Sequence, residues 1–128
     1  MKPGNIWSGS NTPLLAALTN PTCLARRKGK IGRDYPVTDT TGKVWADAES
    51  AYKSYKTGDT PEDMRRMTRI IAAKLRQHPR LTKAITKAGG VPWLQQCSHT
   101  VTGRSRWEGY GRNSRFICCL IAAYEQQL

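Results

Sequence analysis

The chain has 128 residues, of which 38% are hydrophobic, and a formal net charge of +12 at pH 7. This length and composition predict one folded domain with one core and argue against a disordered chain. An apolar run of about 18 residues, which a membrane-spanning helix needs, is absent, and the opening "MKPGNIWSGS" lacks the apolar segment of a secretory signal.

The first third of the chain shows little periodicity. Residues 6–37 are rich in Pro, Gly, Asn and Thr, which predicts loops with one or two short strands. Helical patterns begin at Asp47, a plausible N-cap for a helix that reaches about Lys56 and ends at Gly58. "TPED", from Thr60, combines a capping residue, an early proline and first-turn acids, so it predicts the start of a second helix that ends before Pro79.

The second half of the chain alternates helices with a glycine-rich loop. A short helix is expected from about Arg80 to Ala88, closed by two glycines, with a further helical turn over residues 92–97. The last helix is expected over residues 114–127, where the apolar side chains recur at helical spacing. Between them, "SHTVTGRSRWEGYGRNSR" holds too much Gly and Ser for a regular element. Such a loop before a helix N-terminus suits an anionic ligand.

The positive charge is unevenly distributed. Between Arg65 and Arg115 every charged side chain is basic except Glu108. A field of this sign attracts polyanions such as nucleic acid or a pyrophosphate-bearing nucleotide. A solvated basic face that only aids solubility is the alternative.

The segment "KVWADAESAYKSYK" contains the residues best suited to chemistry. On a helix, residues seven apart lie nearly in line, so Glu49 and Lys56 share a face, with Tyr52 beside them. A carboxylate there could act as a general base or stabilise positive charge on a sugar carbon, and an amine could attack or polarise that carbon. A surface helix with solvated charges is the simpler interpretation of the same spacing.

Four further residues or motifs are candidates for binding. Trp107 opens "WEGYGRN", where indole could stack on a base and glycines allow backbone N–H groups to approach a phosphate. Lys74 falls on the apolar edge of its helix, where it either binds a ligand or extends to the surface. Trp45 is expected in the core or a pocket wall, and His99 as a hydrogen-bonded polar residue more than a catalytic one.

Cysteine and histidine usage argues against a metal site. The chain has four cysteines and two histidines and no CxxC spacing, which makes zinc binding unexpected. Adjacent Cys118 and Cys119 lie in the apolar stretch "FICCLIAAY" and are expected to act as small buried hydrophobic residues. Free thiols of this kind are typical of a reducing cytoplasm, so we expect a cytoplasmic protein without metal or cofactor.

Taken in order, several segments resemble the NADAR (YbiA-like) family. "IWSGS" and "LTNPT" are similar to the family's opening, with Asn20 at its asparagine. "WADAESAYKSYK" is similar to its most specific motif, with Trp45, Glu49, Tyr52 and Lys56 in register. "MTRIIAAKL" places Met67 and Lys74, "LTKAITKAGG" is similar to the following Leu-rich helix, and "WEGYGRN" is similar to the closing motif, with Trp107, Gly109, Gly111 and Asn113.

The resemblance implies a mainly helical α+β fold in one domain over residues 1–128, with a loop-rich opening (1–37) and a helical body (47–128). It implies hydrolysis of N-glycosidic bonds, including removal of ADP-ribose from modified guanine in nucleic acid, or action on a related N-ribosyl nucleotide. It also implies that Glu49, Lys56 and Trp107 are the active-site residues. The expected ligand-binding residues are Asn20, Trp45, Tyr52, Lys74, Gly109, Gly111 and Asn113.

One departure from the family pattern keeps other functions open. Family members usually carry an acidic residue shortly before the tryptophan of the last motif, whereas residues 103–106 here are Gly-Arg-Ser-Arg. Loss of that acid could abolish cleavage while keeping binding. The alternatives are therefore a non-catalytic binder of an ADP-ribose-like nucleotide, or a basic module that binds nucleic acid.

Overall fold

A computed structural model describes residues 1–128, about 52% of which are helical. The helices are α1 (Pro13–Ala17), α2 (Thr22–Arg27), α3 (Ala48–Tyr55), α4 (Thr60–Gln77), α5 (Pro79–Ala88), α6 (Val91–Gln95) and α7 (Arg115–Glu125). The strands are β1 (Val37–Thr38), β2 (Val44–Trp45), β3 (Ser98–His99) and β4 (Gly109–Tyr110), and a 3₁₀ helix covers Gly111–Asn113. Two antiparallel pairs form, β1 with β2 and β3 with β4. A small, mainly helical α+β domain is therefore confirmed.

The core lies between α4 and α7. Helix α4 buries Met67, Ile71 and Leu75 along one stripe, as their helical spacing predicts. Helix α7 is buried on most of its surface, including Phe116 and Tyr124. Helix α4 therefore has two faces: the buried stripe packs in the core, and the opposite face carries arginines.

The ends of the helices follow from local sequence signals. Asp47 caps α3 by accepting a hydrogen bond from the backbone N–H of Ser50 at 2.9 Å. Ser114 caps α7 by accepting from the N–H of Ile117 at 3.2 Å, and Gly89, at a φ of 139°, ends α5. Helix α4 starts one residue earlier than expected, because Thr60 lies inside the helix and Asp59 occupies the N-cap position without a side-chain cap.

The first third of the chain is more helical than its sequence predicts. Residues 6–37 contain α1 and α2 rather than loops and strands alone. Both helices are short, with five and six residues, so their stability depends on tertiary packing. In α1 that packing is extensive, since Leu14 to Ala17 are all buried. The glycine-rich loop likewise contains β3, β4 and the 3₁₀ helix.

Three whole-chain observations bear on partners and chemistry. No helix is both long and apolar enough to cross a bilayer. All four cysteines are free, with Cys97 and Cys119 buried and Cys23 and Cys118 half-buried. Cys118 is thus less buried than expected, and its Sγ donates to the carbonyl of Arg112 at 3.1 Å.

Candidate functional site

Two adjacent cavities meet at the side chains of Tyr52 and Trp107, which line both. The inner cavity has a volume of about 170 Å³ and is lined by Thr19, Asn20, Pro21, Glu49, Tyr52, Met67, His99, Trp107 and Phe116. The outer vestibule has a volume of about 580 Å³ and is lined by Tyr52, Lys56, Thr57, Gly58, Thr60, Asp63 and Trp107. Single ligand pockets usually measure roughly 300–1,000 Å³. The inner cavity therefore suits one ring, and a larger ligand would extend into the vestibule.

Glu49 presents an unpaired carboxylate to the inner cavity. It lies in the first turn of α3 and is half-buried, and its carboxylate has neither a hydrogen bond nor an ion pair within the protein. Burial raises the pKa of this carboxyl, and Asp47 adds to that effect, whereas Lys53 and Lys56 oppose it. A half-buried carboxylate without a partner costs stability unless a ligand or water binds it, which is typical of a functional group.

Asn20 lies beside Glu49 and also has a side-chain polar atom without a partner. Its backbone carbonyl accepts from the N–H of Glu49 at 3.2 Å, so the two residues are held together. Its side-chain Nδ2 donates to the sulfur of Met67 at 3.0 Å, while Oδ1 is buried without a partner. Swapping the amide would turn the oxygen towards the thioether sulfur of Met67, which cannot donate, and would also leave the nitrogen without an acceptor. In either orientation, one polar end of Asn20 is free to contact a ligand.

Tyr52 and Trp107 form the aromatic wall between the two cavities. Their ring centroids are 5.7 Å apart in an edge-to-face arrangement, the geometry that aromatic pairs favour. The backbone of Trp107 is fixed by the start of α7, since the hydroxyl of Ser114 donates to its carbonyl at 2.6 Å. The cap of α7 thus positions a side chain of the site.

His99 is a member of the site that the sequence favoured only as a hydrogen-bonded polar residue. Strand β3 places it on the inner cavity, and its Nδ1 donates to the carbonyl of Ile6 at 2.7 Å, since that oxygen can only accept. Burial lowers the pKa of His99, although the bond to Ile6 opposes this. The neutral ring therefore keeps Nε2 as an acceptor, and this nitrogen has no protein partner. The ring also packs against Phe116, with centroids 4.5 Å apart.

Lys56 lies outside the inner cavity, contrary to the expectation that it faces Glu49. Helix α3 ends at Tyr55, and Lys56 follows in extended backbone with a ψ of 142°. Its side chain is exposed and lines the outer vestibule. The amine is thus better placed for a phosphate in the vestibule than for attack on a carbon in the inner cavity.

Trp45 and Lys74, both expected to bind ligand, have structural contacts elsewhere. The indole N–H of Trp45 donates to Asp39 at 2.9 Å within the β1–β2 hairpin. Lys74 is buried, with 1% of its surface exposed, and its Nζ donates to the carbonyls of Ala17 and Thr19, each at 2.6 Å. It neither reaches the surface nor lines a cavity of the site, although Thr19 does line the inner cavity.

The glycine-rich loop satisfies its own backbone amides. The carboxylate of Glu108 accepts hydrogen bonds from the N–H groups of Val101, Thr102 and Gly103, and these bonds hold the pKa of Glu108 at about 2. Those amides are therefore occupied by an internal anion and do not hold a phosphate in this conformation. Asn113 is exposed in the 3₁₀ helix and lines neither cavity.

Gly109 and Gly111 have packing roles instead of the expected contact with ligand. At Gly111, φ is +56° and a Cβ would lie 2.5 Å from the carbonyl oxygen of Gln95. Its N–H donates to the carbonyl of Cys97 at 2.8 Å. At Gly109, φ is +149° and a Cβ would lie 3.2 Å from the backbone of Asn113.

Gly111→Ala is expected to destabilise the fold by roughly 1–3 kcal/mol, because it adds a strained backbone and a close contact. Gly103→Ala is the matched control, since Gly103 also has a positive φ, of +74°, but open space around its Cβ position. Chemical denaturation of both variants measures the difference. Equal losses of stability in Gly111→Ala and Gly103→Ala would show that the close contact with Gln95 contributes nothing to the destabilisation.

Comparison with known proteins returned no similar family model, curated protein or solved structure. No group of three or more His, Cys, Asp or Glu side chains is placed to hold a metal ion. The function is therefore inferred from the side chains of the site themselves.

Proposed function

We propose that this protein hydrolyses N-glycosidic bonds in the manner of the NADAR family, releasing ADP-ribose from modified guanine or a related N-ribosyl nucleotide. The observation that carries the proposal is the unpaired, half-buried carboxylate of Glu49 in a cavity of about 170 Å³ beside the aromatic pair Tyr52 and Trp107. Such a carboxylate stabilises positive charge on a ribose carbon, and aromatic walls stack on a base or cover a sugar ring.

In the proposed reaction, water adds across the bond between the anomeric carbon and the base nitrogen. As that bond breaks, positive charge develops on the ribose, and Glu49 stabilises it or takes a proton from the attacking water. The water oxygen bonds to the anomeric carbon, and a proton passes to the departing nitrogen. Asn20 and the Nε2 of His99 hold ribose hydroxyls through their free polar atoms.

The vestibule provides room for the rest of the nucleotide. Its volume of about 580 Å³ exceeds that of the inner cavity, and its one lysine, Lys56, has no acidic partner. A pyrophosphate there lies between Lys56 and the shared aromatic wall. Lys56 thus acts in binding and not as a nucleophile.

The test is incubation with DNA that carries ADP-ribosylated guanine, followed by mass analysis of products and bound ligand. Free ADP-ribose together with unmodified DNA is the expected result. Intact modified DNA retained on the protein would overturn hydrolysis and support the non-catalytic binder. Unmodified DNA serves as the control for binding that depends only on charge.

As the pH is lowered, turnover is expected to fall at a pH above the usual pKa range of a glutamate carboxyl. The mechanism needs the ionised form of Glu49, and burial raises the pKa at which that form is lost. A pH–rate profile, with circular dichroism at each pH to exclude unfolding, measures this limb. If the rate falls only at or below the usual pKa range of glutamate, another group controls the rate.

A further inference from the structure

A separate groove of about 430 Å³ lies on the other side of α3 from the inner cavity. Helix α3 contributes Ala51 and Tyr55 to the groove, whereas Glu49 and Tyr52 face the inner cavity. Its remaining boundaries are α4, strand β1 with the turn that follows it (residues 37–41), and Gln126 directly after α7. Alanines of α4 line it between the longer side chains, which leaves space for an extended ligand.

Three arginines of α4 line this groove, and we call it the arginine groove. Arg66, Arg69 and Arg76 fall on one face of the helix and span roughly 15 Å at 1.5 Å per residue. Arg69 and Arg76 are exposed and have no carboxylate within ion-pairing distance, whereas Arg66 lies 3.2 Å from Glu62. Two of the three charges are therefore uncompensated.

The one acidic residue in the groove, Asp39, makes no ion pair with these arginines. Asp39 accepts hydrogen bonds from the hydroxyl of Thr41 at 2.7 Å, the indole N–H of Trp45 at 2.9 Å and the hydroxyl of Tyr55 at 2.7 Å. These bonds hold the pKa of Asp39 well below its usual range, so it is ionised. Its carboxylate oxygens are nevertheless occupied by these hydrogen bonds, and none of them contacts an arginine within ion-pairing distance.

We infer that the arginine groove binds the phosphodiester backbone of a nucleic acid strand. The helix positions of the three arginines span about 15 Å, which exceeds what one phosphate needs and corresponds to about four nucleotides of a stacked strand at 3.4 Å per step. All three cations are arginines, whose planar groups match phosphate and are weakly hydrated. The inference does not depend on the proposed hydrolysis, because the groove and the inner cavity share no residue.

The test measures binding of a fluorescein-labelled single-stranded oligonucleotide by anisotropy at several salt concentrations. The variant Arg69→Gln/Arg76→Gln is expected to bind about tenfold more weakly than wild type, and its log–log salt slope to be smaller by about 1.4, because two phosphate contacts are lost. Both arginines are exposed and lack hydrogen-bond partners, so the variant should fold.

The matched control is Lys83→Gln/Lys87→Gln, which removes the same charge from exposed positions of α5 outside the groove. Less than about threefold weakening is expected there, since only the general field changes. Equal weakening in both variants, or no binding by wild type, would overturn the inference. If polyglutamate at equal charge displaces the oligonucleotide, the inference is also overturned, and an acidic protein partner is favoured instead. The oligonucleotide carries no ADP-ribose, so this assay measures the groove alone, and its failure is distinguishable from failure of the proposed hydrolysis.

Discussion

Glu49→Gln is expected to lower turnover of the ADP-ribosylated substrate by about 10²–10⁴-fold, the usual contribution of a positioned acid–base group. Glutamine keeps the shape of the side chain but removes its charge, so it can neither activate water nor stabilise a positive ribose carbon. Substrate affinity should change little, because aromatic stacking and the vestibule remain. Single-turnover kinetics with a separate binding measurement tests both statements.

The matched control is Glu125→Gln, which makes the same change at an exposed position near the end of α7. It should leave turnover within about twofold of wild type, as expected for a surface substitution. If Glu49→Gln keeps near-full activity, Glu49 is not the catalytic carboxylate. Glu108 would be a poor replacement, since its ionised form is already held by the amides of residues 101–103.

The stability of Glu49→Gln provides an independent readout. Burial raises the pKa of Glu49 in the folded protein, so the folded state binds more protons than the unfolded state between the two pKa values. Stability from this group therefore falls as pH rises through that window, and at neutral pH the ionised carboxylate is destabilising. The variant should be at least as stable as wild type at pH 7, and a lower melting temperature would indicate an unrecognised structural partner.

Helices α3 to α7 could be predicted from sequence, whereas α1 and α2 could not. Asp47, Ser114 and the glycines after α5 mark their helix ends through contacts within a few residues. Helices α1 and α2 are only five and six residues long, too short for apolar residues to recur at helical spacing. Their stability comes from packing against distant segments, which no local pattern records.

Four of the residues that line the inner cavity were expected from the sequence, two on one helix and two, Asn20 and Trp107, on separate segments. The spacing of Glu49 and Tyr52 predicts a shared face, and both line the inner cavity. Trp107 was singled out by its loop, but its contact with Tyr52 depends on the cap of α7. The position of His99 on the inner cavity gave no sequence signal, because β3 is only two residues long, too short for an alternating pattern, and its partner Ile6 is 93 residues away.

Lys74 shows the same limit for a buried charge. Its position on the apolar edge of α4 is visible in the sequence, but the carbonyls that hold it belong to α1 and the segment after it, 57 and 55 residues away. A neutral lysine amine has two N–H donors, which matches two carbonyl acceptors. Burial lowers the pKa of Lys74 to about 7, although the charge of Asp47 opposes this.

At alkaline pH, where the amine is neutral in both the folded and the unfolded state, Lys74→Met is expected to destabilise the fold by roughly 2–6 kcal/mol, because two buried carbonyls lose their donor at about 1–3 kcal/mol each. Methionine fills similar space, so the loss reports the hydrogen bonds more than a cavity. Lys83→Met, at an exposed position of α5, is the control and should change stability by less than about 0.5 kcal/mol. Chemical denaturation measures both variants.

The pH dependence of that loss distinguishes the buried amine from a simple packing effect. The folded-state pKa of about 7 lies below the ordinary value of 10.5, so between these values the unfolded state binds more protons. Wild-type stability from Lys74 therefore rises with pH across this window, and the variant lacks the rise. The difference between wild type and Lys74→Met should grow from neutral to alkaline pH. A constant difference would show that Lys74 stays charged in the folded protein. A negligible one would show that water or another donor satisfies the carbonyls of Ala17 and Thr19.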